Sequence, residues 1–308
     1  MHNKTTRLAQ LGLLATAMIW GSGFIGSQMA LDANFSSAFI MLCRFAIATM
    51  VFGVASFRTL RRQMTLSHWK YGLIIGSFLF FAFYVQTVGL QYTTPSKNAF
   101  ITAANVVIVP FLWWLVRKKR PTLRLVLCSL SCLVGIGILS LNPAEGFALN
   151  LGDLLTLGCA VLFACQIVAT GVLAEKIPPQ VVVFMQFAVA TGWSLVLFVL
   201  TDRDLSSFGN LGGMLSVVYL GLFSTCLCYF LQTMAQKYVP SSRAAILLSF
   251  ESLFGTLFSV LLGYDDPTLT MLIGGAVIVT STILADTEEV QQVEQELEKN
   301  QVSLEKAE

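Results

Sequence analysis

The sequence predicts an all-α membrane protein with ten transmembrane helices, arranged as two inverted repeats of five helices each. Three observations predict this fold class. The composition is 56% apolar and only 12% charged, long apolar runs recur along the chain, and the second half repeats residues of the first. A soluble domain of this length needs more polar surface to cover its core. Because the runs are continuous and do not alternate with polar residues, they indicate helices and not the strands of a barrel.

Each predicted helix is an apolar run long enough to cross the bilayer, whose apolar core is about 30 Å thick and requires about 20 helical residues. The ten runs cover residues 8–30, 36–57, 69–91, 97–116, 122–141, 151–174, 179–200, 211–234, 242–262 and 267–285. Prolines lie mostly at the ends of runs, where a missing N–H is harmless. Pro110 lies inside a run and is expected to kink it. The first run is too long for a signal peptide, so we expect it to be retained.

The basic residues predict the orientation of the helices. Alternate loops, counted with both termini, carry 16 lysines and arginines, whereas the opposite loops carry only Lys97 and Arg203. Since basic loops stay on the cytoplasmic side, both termini are expected there, and the loop 142–150 is expected outside. We therefore expect a multi-pass membrane protein with cytoplasmic termini.

An internal repeat is visible at a constant offset. Residues in the third to fifth runs match residues 146 positions later. The matched positions are Gln86-Thr87, Tyr92, Ser96, Lys97, Ala99 and Pro121-Thr-Leu123 with Gln232-Thr233, Tyr238, Ser242, Arg243, Ala245 and Pro267-Thr-Leu269. In the second run, the segment 44–49 matches 186–191 at an offset of 142. Because five is an odd number of crossings, the second copy must be inverted, which predicts repeats at 1–145 and 146–286, followed by an acidic cytoplasmic tail at 287–308.

Two ionisable residues, Arg44 and Glu251, lie inside apolar runs. A charge near the membrane centre costs about 2.5–3.5 kcal/mol, so such residues usually have a function. Glu251 is expected near the midplane, where desolvation disfavours a charged carboxylate, and we expect it to exchange a proton or bind a cation. The alternative is structural: Glu251 is neutral and hydrogen-bonded, or it pairs with Arg44 to fix helix packing.

Amide and aromatic side chains lie at similar depths. Gln86, Asn105, Gln166 and Gln186 are polar positions within apolar runs, and Asn105 is the counterpart of Glu251 at the offset of 146. Trp20 and Tyr84, together with Trp114 and Tyr229, are candidates for an aromatic wall of the same cavity. The predicted substrate or coupling-ion cavity therefore consists of Glu251, Asn105, Arg44, Gln86, Gln166, Trp20 and Tyr84. The alternative for single amides is that they hold helices together.

Several other chemistries lack support in the sequence. The seven cysteines all lie in apolar runs without the spacing of a metal site, so we interpret them as reduced packing residues and expect no metal. Residues 21–26 spell G-x-G-x-x-G, but the dinucleotide fingerprint requires a preceding strand and an acidic residue about 20 positions on. No catalytic motif is present, and we expect neither an enzyme nor a cofactor. The basic residues lie in short loops, which argues against binding of nucleic acid.

Four segments together carry a resemblance to the EamA-type members of the drug/metabolite transporter superfamily. The segments are Trp20-Gly-Ser-Gly-Phe24, Arg44-Phe45, Gln91-Tyr-Thr-Thr-Pro95 through Pro110, and Leu248-Ser-Phe-Glu251. They resemble, in order, the W-G-x-x-F start of the first span, the R-F pair of the second, the junction of the third and fourth, and the S-L-E-P segment of the ninth. Ser252 stands where that last segment usually has proline, and Gly263-Tyr-Asp-Asp266 replaces a common L-G-E ending.

This resemblance covers roughly residues 8–286 and implies transport of amino acids, metabolites or related compounds across a bacterial plasma membrane, often coupled to protons. With the inverted repeat, it predicts a secondary transporter, most simply an exporter. The alternatives are a passive facilitator or channel, and then a membrane-embedded enzyme or scaffold. The expected partners are a small-molecule substrate, protons and the lipid bilayer; a homodimer is compatible with the sequence.

Overall fold

A computed structural model describes residues 2–118, 120–140, 150–201, 209–281 and 284. Within these ranges the regular structure is entirely helical and contains no strand. The predicted tail at 287–308 and most of the loop 142–150 lie outside the described residues.

Fourteen α-helices, a short 3₁₀-helix and a π-helix follow one another along the described chain. In order they are α1 His2–Asp32, α2 Ser37–Ala55, α3 Phe57–Gln63, the 3₁₀-helix Leu66–His68, α4 Trp69–Leu90, α5 Pro95–Ala103, α6 Asn105–Arg117, α7 Leu123–Ser140, α8 Leu151–Ala174, α9 Pro179–Thr201, α10 Leu211–Tyr219, the π-helix Leu220–Leu227, α11 Cys228–Gln236, α12 Ser241–Leu248, α13 Phe250–Leu261 and α14 Leu269–Ser281. All ten predicted runs lie on these helices.

Eight helical segments within the described ranges are long and apolar enough to cross a membrane. They are α1, α2, the 3₁₀-helix with α4, α5 with α6, α8, α9, α10 through α11, and α12 with α13. The segments α7 and α14 are apolar but shorter in the described residues. The protein is therefore an all-helical multi-pass membrane protein, with eight clear spans where the sequence predicted ten.

Three of the spans are not continuous α-helices. Ala104 separates α5 from α6, and Ser249 separates α12 from α13. The third interruption is the π-helix Leu220–Leu227, which joins α10 to α11. Pro110 lies inside α6, and its ring crowds the carbonyl four residues earlier. The break at Ala104 is thus on the N-terminal side of the proline, as expected for a kink.

The spans pack around a central region. Helix α4 packs against α8 and α9, α1 packs against α11 and α13, and α2 packs against α9 and the π-helix. The largest buried cluster joins α2, α4 and α9 through phenylalanines, among them Phe45, Phe83 and Phe187, with Tyr229 of α11. This cluster forms one wall of the cavity described below.

Candidate functional site

A cavity that is partly open, with about 460 Å³ of space free of protein atoms, lies among α1, α2, α4, α5, α6, α8, the π-helix, α11 and α13. Its lining consists of Trp20, Gly23, Phe24, Ser27, Arg44, Phe83, Gln86, Thr102, Asn105, Phe163, Gln166, Ile167, Ser224, Tyr229 and Glu251. Apart from Trp20, every one of these residues is buried. The cavity is therefore a buried concave site that combines aromatic side chains with polar and charged groups, and concave sites of this kind bind small molecules.

Arg44 supplies a buried positive charge on one side of the cavity. Its side chain is 1% exposed and extends from α2 to the π-helix. There Nε donates to Thr225 Oγ1 at 2.9 Å and Nη2 donates to Ser224 Oγ at 3.2 Å. The guanidinium also lies 3.9 Å from the ring centre of Phe83, a cation–π contact. No carboxylate among the described residues forms an ion pair with Arg44.

Glu251 supplies a carboxyl group to the same cavity. It is 5% exposed and lies in the first turn of α13, directly after the break at Ser249. Within the described part of the chain it has no salt bridge, and in particular it does not pair with Arg44. Asn105 holds the corresponding place as the first residue of α6, after the break at Ala104. Both side chains therefore line the cavity where a half-helix begins.

The cavity continues into a cluster of buried glutamines. Gln166 Nε2 donates to Gln186 Oε1 at 3.1 Å and to Thr170 Oγ1 at 2.9 Å, while Gln232 Nε2 donates to Gln166 Oε1 at 3.3 Å. On the other side of the cavity, Gln86 donates to Thr102 at 3.0 Å.

Some buried polar atoms have no hydrogen-bond partner among the described residues, including Asn105 Oδ1, Gln186 Nε2, Gln232 Oε1 and Tyr229 Oη. Leaving such atoms unpaired costs free energy, so their concentration here favours a site that takes a polar ligand or water.

Close packing of α1 against the π-helix and α13 shapes part of the cavity wall. A Cβ atom on Gly23 would lie 2.8 Å from Ser224 Oγ, and one on Gly21 would lie 2.6 Å from Phe254 Cβ. Because these glycines permit the approach, Trp20 Nε1 can donate to the backbone oxygen of Ser224 at 2.8 Å. A π-helix frees backbone carbonyls and is frequent at functional sites. The first two glycines of the G-x-G-x-x-G segment therefore serve helix contact.

Six of the seven residues predicted from the sequence line this cavity: Trp20, Arg44, Gln86, Asn105, Gln166 and Glu251. Tyr84 is absent from the lining; its ring stacks on Phe80 at 6.0 Å between centres, beside the core of α2, α4 and α9. Because successive helical residues point about 100° apart, Tyr84 faces away from the cavity that its neighbour Phe83 lines.

Several lining residues were not predicted, notably Phe83, Phe163 and Ser224. The repeat contained a signal for one of them, because Phe83 precedes Tyr229 by 146 positions. Ser224 contributes through the π-helix, for which the local sequence has no proline or other marker.

Comparison with known proteins gives a consistent result. A model of the EamA-like transporter family matches the chain twice, at residues 7–141 and 150–285. An uncharacterized transporter of Archaeoglobus fulgidus is 33% identical over 280 residues, covering 90% of this chain and 85% of that protein. The uncharacterized inner membrane transporter YicL of Salmonella typhimurium is 25% identical and covers 91% and 95%. A crystal structure of another protein has the same fold, with a TM-score of 0.75 over 91% of this chain and 96% of that chain, at 20% identity.

Proposed function

The chain belongs to the EamA-like transporter family, and from this premise we propose that it is a secondary transporter that exports a small zwitterionic metabolite, an amino acid or a close relative, by exchange for protons. The observation that carries the proposal is the presence of an arginine and a glutamate in one cavity. Arg44 and Glu251 both line it, and neither pairs with the other or with a second charged residue of the described chain.

A cation and a carboxyl group without charged partners are costly in a buried site, and a zwitterionic substrate can offset that cost. Leaving a charged group buried without a partner is strongly destabilising. A carboxylate of the substrate would accept hydrogen bonds from Arg44, and its ammonium group would lie toward Glu251. The aromatic lining from Trp20, Phe24, Phe83 and Phe163 would surround an apolar part of the substrate.

Glu251 is proposed as the proton-exchanging group. Desolvation favours its neutral form when the cavity is empty and dry, whereas the approach of a cation or water favours the carboxylate. Glu251 can therefore release a proton when the substrate binds and regain it when the substrate leaves, which couples opposite movements of the two. The lack of an ion pair with Arg44 supports this role, because a permanent pair would hold the carboxyl charged.

The membrane arrangement is part of the same proposal. We propose ten spans in two inverted halves, 1–145 and 146–286, with both termini in the cytoplasm of a bacterial cell and the tail 287–308 beyond the last span. Two contacts support an axis relating the halves. Thr49 Oγ1 lies 2.8 Å from Thr191 Oγ1, 142 positions later, and the rings of Phe83 and Tyr229, 146 positions apart, lie 5.9 Å apart. Residues that meet their own counterparts are expected on a two-fold axis.

Purified protein in liposomes tests the proposal. The assay measures uptake of each amino acid with and without an imposed pH gradient, beside matched analogues in which the carboxyl is esterified or the amine is acetylated. We expect at least one zwitterion to accumulate with the gradient and both analogues to fail. Flux that ignores the gradient would indicate a passive facilitator, and transport of the esterified or acetylated form would contradict the roles of Arg44 and Glu251.

A further inference from the structure

A buried ion pair lies at one end of the bundle, where α4 ends and α5 and α8 begin; we name this the Lys97 end. Lys97 Nζ lies 2.9 Å from Asp153 Oδ2, and the Asp153 side chain is completely buried. Asp153 also accepts from the backbone N–H of Asn150 at 3.1 Å and from the Thr93 hydroxyl at 3.4 Å. The tip of the α4–α5 hairpin is therefore fastened to the start of α8.

The repeat gives this contact a counterpart at the opposite end, where α11 ends and α12 begins; we name this the Arg243 end. Lys97 corresponds to Arg243 at the offset of 146. Helix α1 aligns with α8 at an offset of 143, which matches Leu8, Leu11, Leu14 and Ala17 to Leu151, Leu154, Leu157 and Ala160. At that offset Asp153 corresponds to Gln10. Sequence alone thus relates the pair Lys97–Asp153 to the pair Arg243–Gln10.

The second pair is also in contact in the structure. With the oxygen of the Gln10 amide facing Arg243, the guanidinium donates to it from Nε at 3.0 Å and from Nη2. Arg243 is buried, at 7% exposure, at the tip of the α11–α12 hairpin. The tip of the α4–α5 hairpin therefore contacts the start of α8 at one end of the molecule. The tip of the α11–α12 hairpin makes the equivalent contact with the N-terminal part of α1 at the other end. The acceptor is an ionised carboxylate at the Lys97 end and a neutral amide at the Arg243 end.

We propose that these two contacts are the alternate closures of the transport cycle, and that their unequal charge makes the Lys97 end the one that is closed at rest. This inference rests on the proposed function, because alternating access requires one closure at each end of the cavity. A hydrogen bond between two charged groups is stronger than one to a neutral amide. Because the first repeat's counterpart of Asp153 is Gln10, the equilibrium favours the state that is closed at the Lys97 end over the state that is closed at the Arg243 end.

A third contact supplies a matched control. Arg117 and Glu175 form an ion pair that joins the ends of α6 and α8, and their side chains are 30% and 44% exposed. Exposed pairs of this kind contribute little. This ion pair has no place in the proposed mechanism, so Glu175→Gln removes a carboxylate without changing either closure.

The test measures access to the cavity from each side of the membrane. Ser27, which lines the cavity and donates only to Gly23 O of its own helix among the described contacts, is replaced by cysteine. A charged, membrane-impermeant maleimide is then applied from one side or the other in vesicles of known orientation. Protein that retains Ser27 gives the background from the native cysteines. Asp153→Asn weakens the closure at the Lys97 end and keeps an oxygen that can accept from the Asn150 N–H. Gln10→Glu strengthens the closure at the Arg243 end.

Both substitutions are expected to shift labelling in the same direction. Labelling from the Lys97 side should rise relative to the Arg243 side by about tenfold for each, because each substitution exchanges an ion pair with a hydrogen bond between a cation and a neutral amide. The double variant should shift further, and Glu175→Gln should leave the ratio unchanged. Unchanged ratios for both single variants, or opposite shifts, would overturn the inference.

The labelling needs no transported solute, so the two proposals fail separately. Shifted ratios in a protein that moves none of the tested zwitterions would overturn the proposed function alone. Transport with unshifted ratios would overturn the closures alone.

Discussion

Replacement of Arg44 by glutamine separates a role in binding from a role in folding. Glutamine is the residue at the corresponding position of the second half, Gln186, and it keeps a polar side chain without the charge. In the present structure Arg44 makes two hydrogen bonds, at 2.9 and 3.2 Å, and one cation–π contact at 3.9 Å. The substitution removes all three contacts together with the buried charge.

The expected change in stability is small because two effects oppose each other. The hydrogen bonds from the charged guanidinium contribute about 1.5 kcal/mol each, and a desolvated cation–π contact contributes about 2 kcal/mol. Burial of an unpaired charge costs several kcal/mol. These contributions nearly cancel, so Arg44→Gln should change the free energy of unfolding by less than about 1.5 kcal/mol. Loss of a charge-assisted hydrogen bond to a substrate carboxylate, by contrast, costs about 1.5–3 kcal/mol, or about 10- to 150-fold in Kd.

Equilibrium binding of a radiolabelled zwitterion to purified protein, beside thermal unfolding in the same detergent, measures both quantities. Ser224→Ala is the matched control, because it removes one partner of Arg44 and leaves the charge in place. We expect it to weaken binding by less than about fivefold, the equivalent of one net hydrogen bond. An Arg44→Gln protein that unfolds far below the wild type, yet binds with unchanged affinity when folded, would refute the assignment of Arg44 to the substrate.

Three further predictions follow from the packing and the topology. Gly21→Ala should destabilise the protein by about 1–3 kcal/mol, because the added Cβ would overlap α13. Gly12→Ala is the control and should be tolerated, because no atom lies within 4 Å of the added Cβ. Thermal unfolding of the two variants compares them. Tyr229→Phe removes a buried hydroxyl that has no partner among the described residues, so it should leave stability unchanged or raise it by about 1 kcal/mol and weaken substrate binding. Cysteines at the exposed positions Arg61 and Tyr92 should label from opposite sides of the membrane, and labelling of both from one side would contradict the crossing of the membrane by α4.

The sequence was sufficient for the helices because their signal is long and simple. Each predicted run lies on a helix, and Leu151–Ala174 coincides with the run 151–174. The number of spans was less certain, because α7 and α14 are shorter in the described residues than a full crossing requires. Pro110 predicted an interruption of the run that contains Ala104, whereas nothing in the local sequence predicted the break at Ser249, since serine is not a helix breaker. The breaks depend on Pro110 and on packing against other spans.

The cavity was partly predictable for a different reason. Polar residues inside apolar runs, such as Arg44 and Glu251, are costly unless they face a protein interior, so they pointed to a shared cavity without any knowledge of packing. Aromatic residues carry no such restriction, because phenylalanine and tyrosine face lipid, core or cavity equally well. Tyr84 and Phe83 illustrate this, since only the second lines the cavity. The partners of Arg44 on the π-helix required the three-dimensional structure.

Accumulation of a zwitterion in proteoliposomes by the wild type and by Glu251→Gln tests proton coupling most directly. At one proton exchanged per substrate, a gradient of one pH unit can sustain about tenfold accumulation, since one unit corresponds to 1.36 kcal/mol. We expect the wild type to approach this ratio. Glu251→Gln should show no pH-driven accumulation and should still exchange labelled for unlabelled substrate, because that exchange requires no net movement of protons. Accumulation by Glu251→Gln equal to that of the wild type would contradict the proposal that this carboxyl carries the proton.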